Sequence, residues 1–208
     1  MPTRPTIGLA LSGGAARGLA HIGVLRALAE NNIPVDYIAG TSAGSLVGGA
    51  WAAGMPLDEI EDIGIKIRWR DVGRMTMSRL GVQSNARLED YLRSMLPIAR
   101  FEDLLIPFAV VATDLHSGQP VVMRDRGDVP FAIRASCAIP GLYIPVTDES
   151  GRQLVDGGLV AVIPSSACRS LGAEIVIAVD VNAEGATFIG PAQSIIGVVL
   201  QSMLVVQR

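Results

Sequence analysis

Apolar residues run without interruption from Ile7 to Leu11 (IGLAL) into Ser12-Gly13-Gly14, the pattern of a strand buried on both faces of a parallel sheet. The period then changes. Leu19, Ile22, Leu25 and Leu28 recur at helical spacing across Ala15 to Ala29, and Asn31, Asn32 and Pro34 supply the stop. Tyr37 to Ala39 enters a second glycine turn at Gly40, and Gly44 to Ala53 reads as a helix of almost wholly small residues, suited to sitting close against a sheet. Further strands are predicted from Ile106 to Thr113, Gln119 to Met123, Leu154 to Val155 and Ile175 to Val181, with a short helix from Val129 to Cys137 that has Pro130 in its first turn. Strands alternating with helices in this way predict an α/β fold with helices flanking the sheet.

Composition keeps this to one domain. The chain has 208 residues, half of them hydrophobic and 18% charged, enough for a large core and too apolar for general disorder. A net charge of −3 lacks the basic excess that neutralises phosphates, which argues against nucleic acid as a partner. Cys137 and Cys168 form no disulfide framework and no zinc-spaced cluster, so both read as small buried residues. The chain carries no apolar run of signal length before its first glycines and none of spanning length, which predicts a cytoplasmic protein. The longest apolar run, IIGVVLQSMLVVQR, ends the chain without a helix stop, and the C-terminus is expected to be cut short. One segment, 64–100, stands apart. It holds eight basic residues (Lys66, Arg68, Arg70, Arg74, Arg79, Arg87, Arg93, Arg100) against Asp71, Glu89 and Asp90, a local excess of +5 in a chain of net −3. With Trp69, Met75, Met77 and Leu80 interleaved, it reads either as a solvated connection or as a flap suited to anionic lipid or an acyl chain.

Gly40-Thr41-Ser42-Ala43-Gly44 matches G-x-S-x-G where a strand turns into a helix, the setting in which a strained turn holds a serine hydroxyl clear of the backbone. The earlier turn, Ser12-Gly13-Gly14-Ala15-Ala16-Arg17-Gly18, brings backbone N–H groups to a helix start, where they can receive an oxyanion or a phosphate. As a dinucleotide fingerprint it is imperfect. Ala15 replaces the middle glycine, and Asp36 precedes its strand instead of ending it. A nucleophilic serine needs a base, yet neither His21 nor His116 follows Asp156 as a Ser, Asp, His order requires, and Lys66 has no link to Ser42. A carboxylate remains. Asp156-Gly157-Gly158 follows an apolar strand end and reads either as a plain turn or as an acid presented at the same sheet edge.

SGGAARG, GTSAG and DGG, in that order, resemble the patatin-like phospholipase family of bacterial serine acyl hydrolases, and RASCAIPGLYIPV and LGAEIVIAVDV extend the likeness over nearly the whole chain. The resemblance implies a three-layer α/β/α sandwich around a mainly parallel sheet, in a single domain over 1–208. It implies hydrolysis of lipid carboxylic esters through an acyl-enzyme, with a Ser/Asp dyad and no catalytic histidine, metal or cofactor. Carried onto this chain, Ser42 is the nucleophile and Asp156 the base. Gly13, Gly14, Ala15 and Ala43 form the oxyanion hole, Arg17 and Gly18 complete the basic turn, and Gly40, Gly44, Gly157 and Gly158 support the motifs. Two departures stand out: Ala15 for a third glycine, acceptable if its φ stays negative, and Ala161 for the usual Asn, a change expected to loosen the Asp156 loop. A lipid or other acyl ester is the implied substrate, with peripheral membrane contact; a non-catalytic lipid-binding or regulatory protein is the alternative. Oligomeric state is left open.

Overall fold

A computed structural model describes residues 4–68, 72–182, 193–194, 197–199 and 201–202. The C-terminal apolar run lies largely outside these residues. Strand β1 (Ile7–Leu11) leads through a 3-10 turn (Ala15–Leu19) into helix α1 (Ala20–Glu30), and β2 (Tyr37–Thr41) leads into α2 (Ala43–Ala52) and then α3 (Leu57–Lys66). A two-residue hairpin, β3 (Arg74–Met75) and β4 (Gln83–Ser84), precedes α4 (Ala86–Met95). After β5 (Phe108–Asp114) and β6 (Pro120–Arg124) come α5 (Val129–Ser136), β7 (Val146–Thr147), β8 (Gln153–Asp156), α6 (Ser165–Ser170) and β9 (Ile175–Val179).

The sheet is parallel from β9 through β1 and β2 to β5, and antiparallel where β6, β8 and β7 join. One register decides where the chemistry can happen. Residues 109–113 of β5 pair with β6 along one edge, so the other edge is shared end to end: Thr41 pairs with Val111 and Asp156 with the next residue, Ala112. The end of β2 and the end of β8 therefore meet head to head on β5.

Side chains alternate across the strands, and each face has its own size class. Leu9, Leu11, Ile38, Phe108 and Val110 point to the side covered by α1 to α5, where they pack with Leu25, Val47, Ile60, Leu92 and Ile133. Ala10, Ala39, Ala109 and Val111 point to the other side, against Ala167 and Cys168 of α6. Small residues there let α6 lie close, completing three layers. The segment 64–100, set apart by its charge, contributes to the larger core: α4 is amphipathic, with Leu88 and Leu92 buried and Arg93 paired to Asp128 and Glu89. Strand β9 reads as wholly apolar yet is half exposed, because among the described residues it pairs with a strand on one edge alone, β1.

Candidate active site

Strand β2 ends inside the core and reverses at Ser42 into α2. The serine sits at φ +50°, ψ −119°, a left-handed conformation that costs a non-glycine residue roughly 1–3 kcal/mol and persists only where its surroundings enforce it. Backbone contact supplies the enforcement. A Cβ on Gly40 would lie 2.6 Å from Gly44 O and Ser45 N, and one on Gly44 would overlap the carbonyl of Leu11, so strand, turn and helix close to a distance that only glycine permits. The Ser42 carbonyl accepts bonds from Ser45 N (2.9 Å) and Ser45 Oγ (2.6 Å), which anchors the first turn of α2.

Ser42 Oγ donates to Asp156 Oδ2 at 2.7 Å, and both residues are buried. The carboxylate's other oxygen, Oδ1, accepts the N–H of Gly158 (2.8 Å). Burial pushes the Asp156 carboxyl up to about 6, against the lowering effect of those two hydrogen bonds. Its backbone is also held: Asp156 N donates to Ala138 O (2.9 Å) and Thr113 Oγ1 donates to Asp156 O (2.8 Å). Gly157 is pressed against the carbonyl of Val111, leaving no space for a Cβ.

The SGGAARG turn lies across from the serine. Gly13 N–H is spent on Val162 O (3.0 Å), which removes it from the expected set of oxyanion donors. Gly14, Ala15 and Ala43 remain at helix openings, where the first N–H groups have no partner within the helix. Ala15 stands at φ +49°, not the negative φ expected of it, so alanine is strained where glycine would be relaxed. Gly18 packs on the Ala43 methyl, where a side chain would collide, and joins the two turns. Arg17 is half-buried in the same turn and forms no ion pair among the described residues. At Ala161, where Asn was the usual residue, the loop after Asp156 is held through the alanine's backbone: Thr41 Oγ1 donates to Ala161 O (2.8 Å) and Ala161 N donates to Gly157 O (2.9 Å).

Neither histidine reaches the pair. His21 is fully buried and its Nε2 donates to Ser12 O (2.9 Å), bracing the first turn, while burial lowers its pKa and keeps it neutral. His116 lies beyond β5, with its backbone bonded to Asp114. Two residues that the sequence does not mark as part of the site border it, Cys137 reading there only as a small buried residue. Ser136 Oγ accepts the N–H of Ser42 (2.8 Å), and the Cys137 thiol lies beside Ser42 and Ser45, kept protonated by burial. Their position in RASCAIPG was the available signal.

From Ser42 a cavity of about 210 Å³ runs between the helices, walled by apolar side chains such as Leu46, Ile60, Ile63, Leu88 and Leu92. Among the described residues no helix is long and apolar enough to cross a membrane.

The fold and this corner define an α/β protein of the patatin kind. The model of the family described as patatin-like phospholipase matches residues 9–168, and the chain belongs to that family. An uncharacterised NTE family protein of Mycobacterium tuberculosis is 39% identical over 192 residues, covering 91% of this chain and 52% of the relative. A patatin-like phospholipase domain-containing protein of Caenorhabditis elegans is 37% identical over 188 residues, covering 86% of this chain and 14% of the relative. The chain thus spans about half, or less, of the length of these curated relatives. Among solved structures, VipD from Legionella pneumophila aligns with a TM-score of 0.60 at 14% identity, over 76% of this chain and 46% of VipD, a likeness of fold.

Proposed function

We propose that this protein is a serine acyl hydrolase, of the esterase or phospholipase A kind, that cleaves carboxylic ester bonds of lipids through Ser42 and Asp156. The observation that carries the reading is the 2.7 Å hydrogen bond from a strained serine to a buried carboxylate at the end of an apolar cavity. Asp156 takes the proton as Ser42 Oγ attacks the ester carbonyl, and the tetrahedral oxyanion is received by the N–H groups of Gly14, Ala15 and Ala43. Collapse expels the alcohol, which takes the proton from Asp156. Water, deprotonated by the same carboxylate, then releases the acid and restores the serine. Each step uses this chain's own residues. A carboxyl pushed up to about 6 is a stronger base than an ordinary aspartate and is still largely ionised at pH 7.

The apolar lining favours an acyl chain over a compact polar acyl group. A fluorophosphonate probe is expected to form its adduct on the peptide carrying Ser42. A series of p-nitrophenyl esters beside a phospholipid panel should show medium or long acyl chains preferred to acetate. Absence of both adduct and turnover at every chain length would overturn the reading.

Peripheral contact with an anionic lipid surface, from the cytoplasmic side, belongs to the same proposal. In the β3–β4 hairpin Met75, Met77 and Leu80 are exposed beside Arg74 and Arg79, which form no ion pair among the described residues. Gln83 N donates to Leu142 O (2.9 Å), next to Tyr143 in the cavity wall, so a docked hairpin would lie beside the acyl site. Binding to vesicles should rise with anionic lipid, fall with salt and drop in the Met77→Ser, Leu80→Ser double variant. Indifference to all three removes this part of the proposal.

A further inference from the structure

The segment Ser136-Cys137-Ala138, at the end of α5, touches both members of the Ser42 and Asp156 pair through separate atoms. Ser136 Oγ accepts the N–H of Ser42 at 2.8 Å and donates its own proton to Val111 O at 2.6 Å. Two residues on, Ala138 O accepts the N–H of Asp156 at 2.9 Å. Val111 is the β5 residue opposite Thr41, and its neighbour Ala112 is the one opposite Asp156. One tripeptide, fastened to β5, is therefore the common reference for the nucleophile's peptide plane and for the carboxylate's.

We propose that Ser136 is a positioning residue that holds Ser42 in its left-handed conformation and so sets the approach of its hydroxyl to Asp156. Two features separate this from ordinary burial of a small polar residue. Ser136 is fully buried and has a single proton, which it spends on Val111 O, so a lone pair is directed at the Ser42 N–H. The amide it receives belongs to the residue that carries the strain, at φ +50°. A serine held at this angle by its carbonyl side alone could rotate back toward negative φ, which would swing Oγ off the carboxylate. Fixing the amide nitrogen as well as the carbonyl closes that escape. It also withdraws the Ser42 N–H from the oxyanion site, leaving that task to neighbouring amides.

The inference rests on Ser42 being the nucleophile, and the test is arranged so that the two can fail separately. In Ser136→Ala the Ser42 amide should lose hydrogen-exchange protection by on the order of tenfold or more, a readout that needs no turnover. The kcat on a p-nitrophenyl ester should fall roughly 10- to 100-fold, the share of rate that released strain of this size can remove, while KM stays near the parent value because the cavity is untouched. Ser136→Thr keeps the hydroxyl and should recover both exchange protection and most of kcat. A merely structural Ser136 would lower the melting temperature of the alanine variant and leave kcat and the Ser42 amide alone. That result overturns the proposal, as does an unchanged Ser42 exchange rate in Ser136→Ala. If exchange responds as expected but the parent protein neither labels nor hydrolyses, the hold of Ser136 on Ser42 stands and the hydrolase reading falls.

Discussion

Asp156→Asn is expected to melt higher than the parent at pH 7 to 8 while losing turnover by about 10²–10⁴, the usual share of a general base. The stability gain follows from linkage. The carboxyl's folded-state pKa of about 6 lies above its ordinary value of roughly 3.9, so its contribution to stability is fully present below pH 3.9 and is lost as pH rises through about 6. At neutral pH the folded protein holds a buried charge at a cost of about 3 kcal/mol by this difference, which asparagine does not carry. Its carbonyl can accept the Gly158 N–H and its amide can donate to Ser42 Oγ, so both contacts of the carboxylate keep a partner atom without the buried charge. For a domain of this size the gain is a rise of roughly 6–12 °C in melting temperature. The gap should shrink as pH is lowered and vanish near pH 3.5, which thermal unfolding across a pH series would follow. The parent's own rate should fall as pH drops through about 6, because the base becomes protonated. A variant that melts lower at pH 8, or retains turnover within tenfold, would sink the assignment of Asp156 as a destabilised base.

Much of this corner was legible because its signals are local. An apolar strand ending in glycines, followed by a helical period, announces a strand, turn and helix, and both β1 and β2 lie where that pattern puts them. The elimination of histidine was likewise a matter of order along the chain. What could not be read depends on register. That Thr41 and Asp156 face consecutive residues of β5 is a consequence of two pairings, one parallel and one antiparallel, which bring together Ser42 and Asp156, 114 residues apart in the chain. Ser136 and Ala138 look like ordinary small residues at a helix end, and only the tertiary fold turns them toward Ser42 and Asp156. Residue type alone suggests a negative φ for Ala15, whereas the turn imposes a left-handed one. The adjacent amides of Gly13 and Gly14 look alike in a sequence, but in the fold the loop after Asp156 takes the first of them for Val162 O. The charge of 64–100 drew attention from the amphipathic spacing of Leu88 and Leu92, which seats α4 in the core.

Glycines in the motifs are equally alike in sequence and unequal in the fold, which makes Gly44→Ala and Gly13→Ala a decisive pair. A Cβ on Gly44 would overlap the Leu11 carbonyl and lie 2.7 Å from Ser12 O, all backbone of β1 and its turn, with no flexible side chain to give way. Relief requires α2 to recede from the sheet, and with it the turn that holds Ser42. Forced contacts of this kind cost about 3 kcal/mol or more, which for a domain of this size is a fall of roughly 6–12 °C in melting temperature, and Ser42 labelling should fall with it. On Gly13 the nearest atoms to a new Cβ are Ser42 Cβ at 3.5 Å and Thr41 Cγ2 at 3.7 Å, ordinary contacts, and its φ is outside the left-handed region. Gly13→Ala should therefore fold with a melting temperature close to the parent's. Equal tolerance at the two positions would mean that α2 is free to move from β1, and that the strain at Ser42 is not maintained by backbone contact. A loss confined to Gly44 ties the conformation of the serine to the distance between one strand and one helix, a distance that glycine alone allows.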